Sequence, residues 1–266
     1  MTGDLTDAQS DADVALAAAS AGATVARRLY RRPVERFDKS PTDFATQADL
    51  ESEDAILAAI RAARPDDTVV GEERGETRGA NATRRWLVDP ICGTLNYAAG
   101  TPLAAVNVAL VTPDGVLTAV SADPIAEESF WCDEQGAWVR RAGIDTPLEP
   151  SSSSKLIDVN CDGVGNSLGP QLMADADLRA RYGLRVLSST LQVAWVAAGH
   201  RAAYITDGSL EGSVHFTAGI ALCRAAGCVV TDLAGDSIYS GRGLIAAADP
   251  ATHRHLAQLI GKYLTL

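Results

Sequence analysis

Acidic side chains follow two short apolar runs and begin one predicted helix, so three parts of the chain can bring carboxylates to one cleft. Glu72 and Glu73 come directly after one apolar run, and Asp89 comes after another. Thr46 is a suitable helix N-cap, which places Asp49 in the first helical turn. Hard divalent cations such as Mg²⁺ need several oxygen ligands at one point. These residues indicate a magnesium site; alternatively, Asp49 only caps its helix and the two glutamates are solvated.

The segment 86–97, WLVDPICGTLNY, combines a carboxylate with a site for an anion. Asp89-Pro90 is expected to end an apolar strand, because proline has no N–H to donate to a sheet. Gly93-Thr94 then begins a short helix whose first N–H groups are free. Free N–H groups attract an anion, and an anion beside Asp89 requires a cation between them. The segment therefore predicts a cation next to a phosphate-like group.

The composition is typical of a globular protein with an acidic surface. The chain has 266 residues, 47% hydrophobic and 21% charged, which is enough for one large domain or two of medium size. A net charge of −11 argues against a nucleic-acid partner, because phosphate backbones attract basic patches. No apolar run approaches the roughly 20 residues of a membrane span, and the N-terminus lacks the features of a signal peptide. The five cysteines include no C-x-x-C pair, so we expect a reduced, cytoplasmic protein.

Two amphipathic helices precede the residues that could do chemistry. The spacing of apolar residues predicts the first helix over 5–31, and Thr46 begins a second that runs to about Arg61. After segment 86–97, short β-rich runs alternate with Pro-Asp-Gly, Asp-Pro and Glu-Gln-Gly turns. Such turns between short runs indicate antiparallel hairpins.

The second half of the chain alternates predicted strands with predicted helices, an α/β layer arrangement. Residues 145–154 are its only Pro/Ser-rich polar stretch. We therefore predict two subdomains, an α+β unit over 1–145 that binds metal and phosphate and an α/β unit over 155–266 that completes the site.

Four segments resemble the inositol monophosphatase family of metal-dependent phosphatases. Residues 89–94, DPICGT, resemble its D-P-I-D-G-T signature, and 43–49, DFATQAD, resemble D-L-V-T-x-A-D. Residues 71–73 match its G-E-E, and 225–232, AAGCVVTD, resemble a second signature, E-A-G-G-x-x-x-D. The resemblance implies an αβαβα sandwich with mixed sheets between helix layers, usually a homodimer, acting on small phosphate esters.

Most of the family's site residues are intact in this sequence. Its first metal site and its water nucleophile match Glu72, Asp89, the Ile91 carbonyl and Thr94. Glu72 and Asp49 match residues that reach a weakly held further cation through water. The backbone N–H groups of Gly93 and Thr94 match the phosphate cradle.

The family's second metal site is altered. Cys92 replaces its second aspartate, and His215 falls on the aspartate of a Trp-Asp pair, counting back from Gly227. Thr206 aligns with an acidic residue that binds substrate hydroxyls in the family. Ser189 is also expected on the substrate side. A thiol and an imidazole are poor ligands for a hard ion. The resemblance thus implies one Mg²⁺ ion and a degenerate second site.

Three functions remain open for a site of this kind. The first is metal-dependent hydrolysis of a small phosphate monoester, a sugar or inositol phosphate, by Asp49, Glu72, Asp89 and Thr94. The second is a repurposed enzyme in which Cys92 is a nucleophile and His215 its base, because a thiolate is stabilised near a helix N-terminus. The third is a non-catalytic protein that binds phosphorylated metabolites. Zinc held by Cys92, His215 and Asp89, or no metal at all, are alternatives to magnesium.

Overall fold

The structure is a computed structural model. It describes residues 9–41, 43–162, 168–208 and 210–264, and only the backbone of Tyr239. The predicted start of the first helix at residue 5 lies outside these residues, as does the N-terminal segment assessed for a signal peptide. No helix in the described ranges is long and apolar enough to cross a membrane.

The described residues form helices and strands in the following order. The helices are α1 (Asp11–Leu29), α2 (Gln47–Ala63), α3 (Thr94–Ala98), α4 (Leu168–Ala174), α5 (Ala176–Arg181), α6 (Leu191–Ala197), α7 (Thr217–Ala225) and α8 (Pro250–Leu264), with a 3₁₀ turn at Ile238–Ser240. The strands are β1 (Arg36–Ser40), β2 (Asp43–Thr46), β3 (Asp67–Gly71), β4 (Gly75–Thr77), β5 (Asn81–Cys92), β6 (Ala105–Thr112), β7 (Gly115–Asp123), β8 (Glu128–Asp133), β9 (Gly136–Arg141), β10 (Ile144–Pro147), β11 (Leu156–Val159), β12 (Gly183–Arg185), β13 (Ala203–Thr206), β14 (Val229–Thr231) and β15 (Leu244–Ala247).

Two mixed sheets organise the chain. The larger has the order β10-β9-β8-β7-β6-β5-β3-β4, and its run from β6 to β9 is the predicted antiparallel meander. Strand β10 extends it into the stretch predicted as a linker. The smaller has the order β12-β11-β13-β15-β14. The strands of the large sheet end at Pro147 and those of the small sheet begin at Leu156. The division into subdomains 1–145 and 155–266 remains a prediction.

Alternate residues of each strand serve different layers, because strand side chains point to opposite faces in turn. On β6, Val106 and Val108 pack with Val14 of α1 and Ile56 of α2, whereas Ala109 packs with α6 and α7 on the other face.

The small sheet repeats this alternation. On β13, Tyr204 joins the α6/α7 cluster, whereas Ile205 packs with Leu256 of α8. The layers thus follow the order α1/α2, large sheet, α6/α7, small sheet, α4/α5/α8, which confirms the predicted αβαβα sandwich.

One local prediction was wrong. The Asp89-Pro90 pair does not end its strand, since β5 continues to Cys92. The pairing of β5 with β6 shifts register between Asp89 and Cys92 instead, and this irregularity accommodates a proline that donates no ladder hydrogen bond.

Candidate metal and phosphate site

Asp89 lies at the centre of the site and is fully buried. Its Oδ2 is 2.8 Å from Nδ1 of His215 and 3.4 Å from the side-chain amide of Asn107, its partner on β6. Its Oδ1 is also buried and has no hydrogen-bond partner among the described residues. Buried carboxylate oxygens are nearly always paired, so this one is a candidate ligand for a cation or a water molecule.

Glu72 brings a second carboxylate to the same place. Its backbone N–H donates to the Val88 carbonyl at 3.1 Å, which ties the end of β3 to β5. Its carboxylate lies 3.1 Å from Nζ of Lys39, and one oxygen is 3.9 Å from Nδ1 of His215. Burial, and then the charge of Asp89, raise the pKa of Glu72 well above its usual range. Lys39 and His215 offset only part of the repulsion between the two carboxylates, and a bound cation would offset more of it.

Glu53 of α2 fixes the turn that carries Glu72. Its two carboxylate oxygens accept hydrogen bonds from the backbone N–H groups of Glu73 and Arg74, both at 2.8 Å. A Cβ at Gly71 would lie 2.1 Å from Oε1 of Glu53, so only glycine fits there. Sequence reasoning missed Glu53, because a single glutamate inside a helix carries no signal of a buried partner.

Asp49 holds the hydroxyl of Thr94. As the third residue of α2 it completes a capping box, its Oδ2 accepting from the Thr46 N–H at 2.8 Å and the Thr46 hydroxyl at 2.6 Å. The Thr94 hydroxyl lies 3.1 Å from both Oδ1 of Asp49 and the Ile91 carbonyl oxygen, and it donates its one proton to either. Burial raises the pKa of Asp49 to about 6. Asp49 therefore caps its helix and also orients Thr94.

Gly93 permits close contact between the start of α3 and the segment before α6. Its φ of 104° is in the left-handed region that favours glycine. A Cβ at Gly93 would lie 3.0 Å from the Leu103 carbonyl oxygen and 3.2 Å from that of Ser188. The neighbouring Ser189 donates its hydroxyl to the Cys92 carbonyl at 2.9 Å. The second half of the chain is thus joined directly to the motif.

Cys92 and His215 meet at Asp89, as the sequence predicted. One ligand atom each from Asp89, Cys92 and His215 lie within 4.8 Å of one another. The Cys92 sulfur also accepts from the Thr190 N–H at 3.3 Å. Burial, followed by the Asp89 charge, raises the pKa of Cys92 to about 11. Burial lowers the pKa of His215, but hydrogen bonds with Asp89 and Cys92 outweigh it and raise that pKa to about 11.

The two residues expected on the substrate side are both largely buried. Ser189 is 5% exposed, and its hydroxyl is engaged by the Cys92 carbonyl. Thr206 is 3% exposed at the end of β13, and its hydroxyl donates to the Asp207 carbonyl at 3.2 Å. Contact of either side chain with substrate remains a prediction.

Asn107 and Thr190 were missed at the sequence level. The Asn107 amide donates to the Thr190 hydroxyl at 2.9 Å and so joins the large sheet to the start of α6. A signal for Asn107 did exist, because it is the only polar residue in the apolar run 104–111. Thr190 gave none, since nothing in its own segment predicts a partner on β6.

The donor atoms divide into two chemically different sets around Asp89. The unpaired Oδ1 of Asp89, the carboxylate of Glu72 and the Ile91 carbonyl are hard oxygen donors that suit Mg²⁺. The sulfur of Cys92 and the imidazole nitrogen of His215 are softer donors that do not. By ligand chemistry, the oxygen set suits magnesium, and the sulfur and imidazole donors do not.

Comparison with known proteins agrees with this geometry. The sequence model of the inositol monophosphatase family matches residues 7–265. An inositol-1-monophosphatase of Mesorhizobium japonicum is 32% identical, covering 85% of this chain and 86% of its own. Nus factor SuhB of Escherichia coli K12 is 30% identical, with coverages of 90% and 91%. The crystal structure of the extragenic suppressor protein SuhB from Bartonella henselae aligns with a TM-score of 0.83 at 26% identity, over 93% of this chain and 97% of that one. The chain belongs to the inositol monophosphatase family.

Proposed function

We propose that this protein hydrolyses a small phosphate monoester with one Mg²⁺ ion held by Glu72, Asp89 and the Ile91 carbonyl. The observation that carries the proposal is the buried Oδ1 of Asp89, which has no partner within the described chain and lies in a site shared with Glu72. When bound, Mg²⁺ activates water and stabilises charge on the phosphoryl oxygens.

Thr94 positions the attacking water. Its single hydroxyl proton is given to Asp49 or to the Ile91 carbonyl, each 3.1 Å away. The Thr94 oxygen therefore keeps its lone pairs free to accept a hydrogen bond from a water molecule. The Gly93 and Thr94 N–H groups, at the start of α3, hold the phosphate. Because α3 has only five residues, its dipole is small, and the cation supplies most of the attraction.

Sugar and inositol phosphates are the proposed substrates. Support comes from the relative named inositol-1-monophosphatase, which is 32% identical. The side chains that would contact the sugar differ from the family pattern, since Thr206 stands where an acidic residue is expected. We therefore expect a substrate preference unlike that of an inositol monophosphatase with an acidic residue there.

Phosphate release from a panel of sugar and inositol phosphates, measured across a Mg²⁺ titration, tests the proposal. Glu72→Gln and Asp89→Asn are expected to abolish Mg²⁺-dependent release. Glu134→Gln, in the exposed turn between β8 and β9, is the control and should match the wild type. A folded protein that releases no phosphate at any Mg²⁺ concentration would favour the non-catalytic alternative.

The second candidate function is that of a thiol enzyme. The required side chains are adjacent, but the nucleophilic thiol is not ionised. Cys92 and His215 are adjacent, yet a pKa of about 11 keeps the Cys92 thiol protonated at neutral pH. Reactive cysteines have a lowered pKa and partial exposure. Cys92 is therefore expected to resist iodoacetamide at pH 7 in the folded protein. Rapid labelling of Cys92 below pH 7, together with loss of activity, would establish the thiol mechanism instead.

The oligomeric state and the cellular compartment of the protein are also proposals. We propose a homodimer that binds a phosphorylated metabolite, rather than nucleic acid, and light scattering in solution tests its mass. All five cysteines are unpaired, which supports a reducing compartment.

A further inference from the structure

The second set of donors around Asp89 adds two of a softer chemical class, the sulfur of Cys92 and the imidazole nitrogen of His215. One atom each from Asp89, Cys92 and His215 lie within 4.8 Å of one another. Asp89 lies near the end of β5, Cys92 is the last residue of that strand, and His215 lies in the segment before α7. A carboxylate, a sulfur and an imidazole around one point are typical ligands of zinc.

The donor spacing requires only small shifts to hold an ion of that size. Zinc ligands lie about 2.0 to 2.3 Å from the metal and therefore about 3 to 4 Å from one another in a tetrahedral site. Nδ1 of His215 is 2.8 Å from Oδ2 of Asp89, slightly closer than two ligands of one ion. The His215 side chain is 42% exposed, so its ring can move outward by the small amount required.

The surroundings of the sulfur also favour a metal ligand. The Thr190 N–H points at the Cys92 sulfur at 3.3 Å, a contact that stabilises negative charge on it. Asn107 holds both Thr190 and the Asp89 carboxylate through its side-chain amide, which fixes two of the groups around the position. Such outer contacts orient ligands in established metal sites.

We propose that Asp89, Cys92 and His215 bind one zinc-class ion, so that the chain replaces the hard second magnesium of its family with a borderline-soft metal. This inference rests on the proposed function only because both proposed metal sites use Asp89 as a ligand. Three protein ligands leave the fourth tetrahedral position open, which is typical of catalytic rather than structural zinc. Binding displaces two protons to solvent, one from the Cys92 thiol and one from the His215 ring nitrogen that becomes the ligand.

Cobalt(II) is the probe, because a cysteine ligand gives it an intense thiolate-to-metal charge-transfer band. The full chain is stripped of metal and titrated with CoCl₂ in excess MgCl₂. We expect one equivalent to bind with this band, and ZnCl₂ to bleach it. Cys92→Ser is expected to remove the band and His215→Asn to weaken cobalt affinity beyond the roughly 10- to 100-fold cost of losing an outer contact. Cys161→Ser, at a half-buried cysteine outside the cluster, is the matched control and keeps the band.

The wild-type titration can refute the inference even if a variant fails to fold, and the comparison of Cys92→Ser with Cys161→Ser assigns the band to its cysteine. Absence of a thiolate band at saturating cobalt, or a band that Cys161→Ser removes and Cys92→Ser keeps, would overturn the inference. Phosphate release is measured separately. A chain that binds cobalt through Cys92 but releases no phosphate contradicts only the proposed function. A chain that releases phosphate with magnesium but shows no band contradicts only the zinc-class site.

Discussion

Nδ1 of His215 lies 2.8 Å from Oδ2 of Asp89, a residue 126 positions earlier in the chain. In the metal-free protein, hydrogen bonds to Asp89 and Cys92 outweigh burial and raise the pKa of His215, so the ring is protonated at neutral pH. An imidazolium then offsets the buried Asp89 charge. The chain thus places a proton donor where its family is expected to place a carboxylate and a metal ion.

Restoring both carboxylates should restore a second magnesium site. In the double variant Cys92→Asp/His215→Asp, three carboxylates crowd one buried position without a cation. We expect its free energy of unfolding to fall by about 3–5 kcal/mol without Mg²⁺, as for other broken buried pairs, and to recover with Mg²⁺. Urea denaturation with and without Mg²⁺ measures this, and calorimetry should show two ions instead of one. Stability that is indifferent to Mg²⁺ would contradict it.

Substitution of Glu53 should lower stability and Mg²⁺ affinity more than substitution of its neighbour Asp54. Glu53→Gln replaces one acceptor with a donor facing a backbone N–H, so we expect a loss of about 1–3 kcal/mol and weaker Mg²⁺ binding through displacement of Glu72. Asp54→Asn removes an exposed ion pair with Arg74 and should cost about 0–1 kcal/mol. Urea midpoints and Mg²⁺ calorimetry compare the two variants. Equal losses would refute a special role for Glu53.

A comparison of Gly93→Ala with Gly100→Ala separates the destabilisation due to backbone strain from that due to steric contact. Both glycines have positive φ, 104° and 74°, so each substitution is expected to cost about 1–3 kcal/mol in strain. Only at Gly93 would the new Cβ also meet carbonyl oxygens, the nearest at 3.0 Å; at Gly100 the nearest atom is 3.5 Å away in a flexible arginine. Gly93→Ala should therefore be the more destabilising and should lose phosphatase activity, whereas Gly100→Ala should keep it.

Asp11 should contribute to stability at neutral pH and not in acid. Burial opposes ionisation, but hydrogen bonds from Arg84 and Arg64 outweigh it and lower the pKa of Asp11 from its ordinary value of 3.8. A lowered folded-state pKa stabilises the protein above pH 3.8 and loses that effect as the pH falls through the folded value. Asp11→Asn should thus lower the urea midpoint at pH 7 and lower it less at pH 3. An equal decrease at both values would contradict this.

Most elements of the fold could be predicted because their signals are local, whereas the αβαβα layering was implied by the family resemblance. Capping at Thr46, the turns of the meander and the motif at Asp89 each depend on neighbouring residues. The same motif also placed Cys92 in the site, and its proximity to His215 is confirmed.

The remaining contacts were not predictable because they join distant segments. Glu53 acts on a turn twenty residues away, and Asn107 meets Thr190 across 83 residues. The strand end expected at Pro90 was wrong for a related reason, since a register shift against β6 absorbs the proline and depends on the partner strand.

The contacts of Thr190 with Cys92 and Asn107 have a consequence for biosynthesis. The ribosome completes α1, α2 and most of the large sheet while Thr190 and His215 are still unmade. The imidazole that contacts Asp89 belongs to His215, which is synthesised 126 residues later. The group of Asp89, Cys92 and His215 is therefore complete only after residue 215 has been added, late in synthesis.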